Sequence, residues 1–337
     1  MNHPTRRHAV KALSALAASA ALPLTGRTQA PASTPAQAFP SKPIRLIIPH
    51  AAGGNSDAFG RIVAQKLSER MGQQVVVENR VGAGGTIASA LVAKSPADGY
   101  TLVVADSGTH AIAPMLYGAR LPYDVFKDFT PITLAATFPV VFVIHPSLAA
   151  KTPKEFVALV KSQPGKLSYS SAGAGNGSHL ALEMFRTAAG GLDMVHIPYK
   201  GGAPAVQALL AGDVQLTAVS VNTAMGHIKS GKARAIGLGS AKRSAALPEV
   251  PTFNESGIPF EADSWLAILG PPGMPQDIVS RLNTEFVATL RAPDVRERLA
   301  ALGLDVVAST PAEVTQVLSR DVPKWGKAVK DSGAVAE

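Results

Sequence analysis

Cysteine is absent from all 337 residues, which rules out disulfides, thiolate nucleophiles and cysteine-held metal. Stability must come from a packed core, and a chain of this length has residues enough for two. Aromatic residues are only 5% of the chain, and no basic run is interleaved with them. The stacking and charge pattern of a nucleic-acid surface is therefore missing. No histidine pair has H-x-x-x-H spacing, and the five at His50, His145, His179, His196 and His227 stand alone, which argues against a metal centre. Heptads, internal repeats and long low-complexity tracts are missing too. The loops carry no paired acids for acid–base chemistry, so no catalytic set is visible.

What is present is an apolar chain, 46% hydrophobic by composition, with 30 glycines. That composition suits closely packed helices and sheets. The net charge is +8, and Arg6, Arg7, Lys11 and Arg27 supply half of it before the first acid, Asp57. Beyond residue 30 the balance is 28 bases to 24 acids, a mild excess that helps steer anions. Arg6 and Arg7 precede an apolar run from Ala12 to Leu24, followed by the small-residue sites Thr28-Gln-Ala30 and Ala36-Gln-Ala38. This is the layout of an export signal, and the run is shorter than the ~20 residues that span a bilayer. The signal is assigned to residues 1–30, with 38 as the other candidate end. Thr5 to Lys11 approximates a twin-arginine signal, with Ala9 where a large apolar residue is usual, so Sec and Tat routes both stay open. The exported chain is expected to be soluble, in the periplasm and outside the membrane.

From residue 44 onward the chain alternates strand and helix. Strands are expected at 44–48, 75–79, 100–105, 140–144, 167–171, 194–198, 214–219, 233–238 and 265–269, with helices between. Such alternation implies mostly parallel pairing with right-handed crossovers. Residues 247–275 are rich in Pro and Gly and read as a crossing between domains. The tail, helical around a short strand near 305, is expected to rejoin the first domain. The chain is thus read as an α/β protein of two domains, 39–140 with 265–337 and an inserted 141–264, in the layout of a hinged binding protein.

Two loops stand out. Ala51-Ala52-Gly53-Gly54-Asn55-Ser56-Asp57 joins a strand to an amphipathic helix, with Ser56 or Asp57 as the expected cap. Ser170-Ser-Ala-Gly-Ala174-Gly175-Asn176-Gly177-Ser178-His179 repeats the arrangement, with Ser178 as the expected cap. Free N–H groups and the helix dipole make both starts attractive to anions, although the dipole alone contributes only about 0.3–1 kcal/mol. The glycine spacing of the second loop is neither a dinucleotide fingerprint nor a P-loop, and no G-x-S-x-G elbow occurs. Gly82-Ala-Gly-Gly85 reads mainly as helix–sheet packing. Thr109 lies beyond a strand end, where ligands of open sheets sit, while His110 reads as structural. Tyr199-Lys-Gly-Gly202 precedes another helix and is a further anion contact, with Lys200 exposed.

The segments FPSKPIRLIIPHAAGGNSD, VVVENRVGAGGT, QPGKLSYSSAGAGNGSHLA, HIPYKGGAPAVQALLAGDVQL and SAKRSAALPEVPTFNESG resemble the Bug or TctC family. Its members are extracytoplasmic solute receptors of tripartite tricarboxylate transporters, and the likeness covers about residues 39–330. The resemblance implies a type II periplasmic binding protein, a Venus flytrap that clamps a small carboxylate between lobes and works with membrane permease subunits. It implies a monomer without cofactor and no enzyme activity. The family's carboxylate contacts correspond here to Gly53, Gly54, Asn55 and Ser56, and to Ala174, Gly175, Asn176, Gly177, Ser178 and His179. The loops themselves add Ala52, Asp57, Thr109 and Tyr199 as candidates. An orphan receptor that signals to a partner is the alternative function. Two departures matter: His50 stands where the family usually has Phe or Tyr, and Val219 where it usually has an acid. Loss of that acid argues against an amino-acid ligand.

Overall fold

Ile44–Ile48 forms β1, a strand buried on both faces because helices cover the sheet on each side. It opens the described part of this computed structural model, residues 39–335; the expected export signal lies outside the described residues. After β1 come α1 (Asn55–Met71), β2 (Val75–Asn79), α2 (Thr86–Ala93) and β3 (Thr101–Asp106). A π turn (Gly108–Ile112) leads to α3 (Ala113–Tyr117) and then β4 (Thr130–Phe138), a strand absent from the sequence reading. There follow β5 (Val140–Ile144), α4 (Pro153–Ser162), β6 (Ser168–Ser171), α5 (Gly177–Ala188), β7 (Val195–Pro198) and α6 (Gly202–Ala211). The chain continues through β8 (Leu216–Ser220), α7 (Val221–Lys229), β9 (Arg234–Leu238) and β10 (Ser264–Gly270). It closes with α8 (Gln276–Arg291), α9 (Pro293–Ala301), β11 (Asp305–Val306) and α10 (Pro311–Ser332).

Two sheets result, with orders β11-β4-β10-β3-β1-β2 and β7-β6-β8-β5-β9. In the first, β1 to β4 share one direction and β10 and β11 oppose them. In the second, β6 to β9 share a direction and β5 opposes them. Both sheets are therefore mixed, with a same-direction majority. The exceptions have a simple origin. The chain enters the second sheet through β5, one residue (Pro139) after β4, and returns to the first through β10. These crossings make two lobes on one chain.

Packing follows the sequence pattern. On α1, Phe59, Ile62, Val63, Leu67 and Met71 turn toward the first sheet, and each such burial contributes about 1.5–3 kcal/mol. At Gly60 an added Cβ would stand 2.6 Å from Ile48 Cδ1, so this helix lies close on β1 only because the residue is glycine. Phe142, Phe185, Phe253 and Phe260 form an edge-to-face and tilted cluster in the second lobe. One apolar cluster runs through both lobes, from Val103 and Trp325 to Phe142 and Phe253. The Trp265 indole N–H on β10 donates to Asp321 Oδ2 on α10 at 2.9 Å, fastening the last helix to the return strand.

Candidate functional site

The same-direction strands of each sheet end at a cleft of about 450 Å³ between the lobes, which is where helices that follow such strands begin. Four helix starts meet there: α1 through Gly54, Asn55 and Ser56, α5 through Asn176, Gly177 and Ser178, α6 through Gly202, and α7 through Ser220, Asn222 and Thr223. Sequence reasoning anticipated the first two and held Gly202 as a weaker candidate. It missed α7, whose Ser-Val-Asn-Thr start carries no glycine loop. Phe138, Val140, Ala218 and Val219 form an apolar wall, so the position of the family acid is occupied here by a buried valine. A neighbouring chamber of about 420 Å³, lined by Ala83, Gly84, Ile112, Leu116, Tyr117 and the 172–177 loop, shares His50, Gly108, Ala172, Asn176 and Gly177 with the cleft.

The first loop corrects the expected cap. Gly54, not Ser56 or Asp57, is the N-cap of α1, so no side chain occupies the helix start. Asp57 lies in the first turn and folds back, because its buried carboxylate finds three donors there: Gly53 N–H at 2.9 Å, Asn79 Nδ2 at 3.0 Å and Arg61 Nε at 3.1 Å. Burial pushes the Asp57 carboxyl up, but the Arg61, Gly53 and Asn79 donors outweigh it and hold the group below its usual range. Asp57 shapes the loop from beneath and does not line the cleft, and Ala52 stays on the outer surface.

The second loop is corrected in the same way. Asn176 caps α5 by accepting from Ser178 N–H at 3.0 Å, while Ser178 Oγ accepts from Ala172 N–H at 2.9 Å. Asn176 wins the cap because Gly177 already takes helical geometry, which moves Ser178 into the first turn. His179 points inward, accepts from Gly175 N–H at 3.1 Å and stacks on His196 at a ring separation of 4.1 Å. Burial lowers both imidazoles, His196 to about 4, with His179 adding to the effect. Ala174 and Gly175 face the side chamber. Tyr199 backs the loop, its N–H donating to Ser171 O at 3.0 Å. Thr109 is fully buried, its N–H donating to Asp106 Oδ1 at 2.8 Å. His110 is also fully buried, with burial lowering it to about 4, and it packs on Tyr123 and Phe129 as a structural residue.

Two relationships could not be read from spacing. Asn222 Nδ2 donates to Asn55 Oδ1 at 2.6 Å, joining the starts of α7 and α1 across the lobes. His50 Nε2 meets Asp106 Oδ2 at 2.5 Å on the cleft floor. Burial opposes charge on His50, yet the Asp106 carboxylate, by charge and hydrogen bond, raises the imidazole above its ordinary value. Burial pushes Asp106 up, and His50 with Thr109 N–H brings it below its usual range. Among the described residues, no group of three or more acids and histidines comes together in a way that could hold a metal ion.

The model of the tripartite tricarboxylate transporter family receptor, TctC, matches residues 59–334. This chain belongs to that family. It is 35% identical over 300 residues to Protein BugT of Bordetella pertussis, covering 89% of this chain and 92% of the relative. Its fold superposes on R. palustris Rpa4515 with adipate at a TM-score of 0.77 and 32% identity, covering 88% and 99% of the two chains. It superposes on MatC (Rpa3494) from Rhodopseudomonas palustris with bound malate at 0.73 and 32%, covering 86% and 100%. The receptor is thus a two-lobe solute-binding protein and not an enzyme. No helix among the described residues is long and apolar enough to cross a membrane.

Proposed function

We propose that this receptor works in the periplasm as a monomer, holds a small organic carboxylate between its lobes, and passes it to membrane permease subunits. The carrying observation is the meeting of four helix starts on one cleft whose lining contains no Lys or Arg among the described residues. Such a lining favours an anion through backbone N–H groups and dipoles instead of a paired side-chain cation. Micromolar affinity takes about 8 kcal/mol. Dipoles at about 0.3–1 kcal/mol each fall short, so N–H bonds to a charged oxygen, about 1.5–3 kcal/mol each, carry most of it. The relatives with adipate and malate support this ligand class, and the apolar wall at Val219 suits an acid without an amine.

The contacts in this reading are Gly53, Gly54, Asn55 and Ser56 on one lobe and Asn176, Gly177 and Ser178 on the other. The lobes divide the chain near residues 140 and 265. Thermal-shift measurements with malate, adipate, citrate and benzoate, against their methyl esters and glucose, test the ligand class. A bound acid at a hundred times its Kd adds about 2.7 kcal/mol and raises Tm by several degrees. Stabilisation by glucose or a metal salt, with none from any acid, would overturn the proposal.

A further inference from the structure

Among the described residues, His50 is the one side chain on the cleft lining that can carry positive charge, and the same ring borders the side chamber. Its position is fixed at both ends. Its main-chain oxygen accepts from Asn79 Nδ2 at 3.0 Å, and its Nε2 meets Asp106 Oδ2 at 2.5 Å. Asp106 is itself locked, because its Oδ1 accepts from Thr109 N–H at 2.8 Å and leaves only Oδ2 for the ring. His50 Nδ1 has no protein partner among the described residues, and the side chain keeps 42% of its surface exposed although Asp106 keeps only 8%.

We propose that His50 determines specificity in this cleft: Asp106 fixes Nε2–H, and the opposite Nδ1–H binds a second acceptor oxygen of the ligand. The inference rests on the carboxylate reading and narrows it. One carboxylate occupies the helix starts, and a further anionic oxygen reaches His50 at the junction of the two cavities. The favoured class is then a dicarboxylate, with the monoamide of the same acid bound more weakly.

The chemistry depends on a single proton. Asp106 is an acceptor, so Nε2 keeps its hydrogen in both charge states of the ring. When the ring is charged, Nδ1–H is a donor and welcomes a carboxylate; when neutral, Nδ1 is a bare acceptor and repels one. The Asp106 carboxylate raises His50 above its ordinary value against the opposing effect of burial, which favours the donor form. The other ionisable groups around the pair are few. His110 is buried behind Asp106 and held neutral, Tyr117 lines the side chamber, and Asp57 with Arg61 connects to His50 only through Asn79.

Calorimetric titration of the exported protein with malate, adipate and adipic acid monoamide, from about pH 5.5 to 9.5, tests this. Wild-type affinity for the diacids should fall about ten- to a hundredfold as pH rises through the His50 pKa, the worth of one charged hydrogen bond. His50→Gln, which keeps an N–H toward Asp106, should bind weakly with a flat profile, and Asp106→Asn should move the fall to lower pH. Melting of each variant without ligand separates misfolding from lost binding. If wild type and His50→Gln bind the diacids equally with flat profiles, the His50 assignment is wrong while the carboxylate reading stands. If no acid binds wild type at any pH, the carboxylate reading fails and takes this assignment with it.

Discussion

Asn222 donates its side-chain amide hydrogen to Asn55 Oδ1 across 2.6 Å, tying the first turn of α7 to the first turn of α1. The two residues lie 167 positions apart and line the same cleft from opposite lobes. Ser220 Oγ donates to Asn222 Oδ1 at 2.6 Å and Thr223 N–H does so at 2.9 Å, so the latch is held in place on the α7 side. A neutral hydrogen bond of this kind contributes about 1 kcal/mol. Asn222→Ala and Asn55→Ala should each weaken acid binding about fivefold, and the double variant should be little worse than either alone. Fully additive losses in titration calorimetry would show that the two residues act independently.

Ser178→Glu places a carboxylate in the first turn of α5 and removes the acceptor of Ala172 N–H. A bound acid would meet like charge at the helix start, and its affinity should fall more than about tenfold. Unchanged affinity in the same titration would place the ligand elsewhere.

Gly175 has φ of +71°, and a Cβ there would stand 3.0 Å from Leu116 Cδ1 on the other lobe. Gly175→Ala should therefore cost about 1–3 kcal/mol through backbone strain and push the second loop away from α3. Denaturant melting reads the stability loss, and weaker acid binding should accompany it.

The first lobe should lose stability in acid. Asp57, Asp106 and Glu78 all have folded values below their unfolded ones, Glu78 at about 2, where its bonds to Arg45 and Arg80 outweigh the opposing effect of burial. Groups depressed in this way contribute stability above their unfolded pKa and lose it as pH falls through the folded value. Tm should be level near neutrality and drop steadily below about pH 4.

Asp263 behaves in the opposite sense. Burial raises it to about 7 against the smaller pull of Lys324, and its Oδ1 has no partner among the described residues. A raised acid stabilises below its unfolded pKa and loses that advantage as pH rises through the folded value. Asp263→Asn should consequently raise Tm clearly at pH 8 and by a smaller amount at pH 5. An equal shift at both pH values would rule out this titration as the cause.

Much of the framework was legible because the chemistry is local. Strand β1, the Gly53–Gly54 loop and helix α1 follow one another within 28 residues of sequence, from Ile44 to Met71, and each carries its own signal. The alternation of strands and helices was equally plain. Strand β4 was not, since TPITLAATF is buried on both faces through its centre and begins beside a proline, so period-two alternation is lost. The caps were misplaced by two or three residues because Gly-Asn-Ser-Asp and Asn-Gly-Ser each offer several cap formers. Asp57 and His179 were expected at the ligand, yet burial makes them supports for the loops. His50 with Asp106, and Asn55 with Asn222, are joined only by the fold, which no spacing along the chain reveals.

A crystal structure of the exported protein with the acid that stabilises it most tests the central claim directly. The account predicts a carboxylate whose oxygens accept from the first-turn N–H groups of α1 and α5, within about 2.7–3.0 Å, with both lobes in contact. A carboxylate bound outside this cleft, or held by Lys or Arg side chains alone, would contradict it.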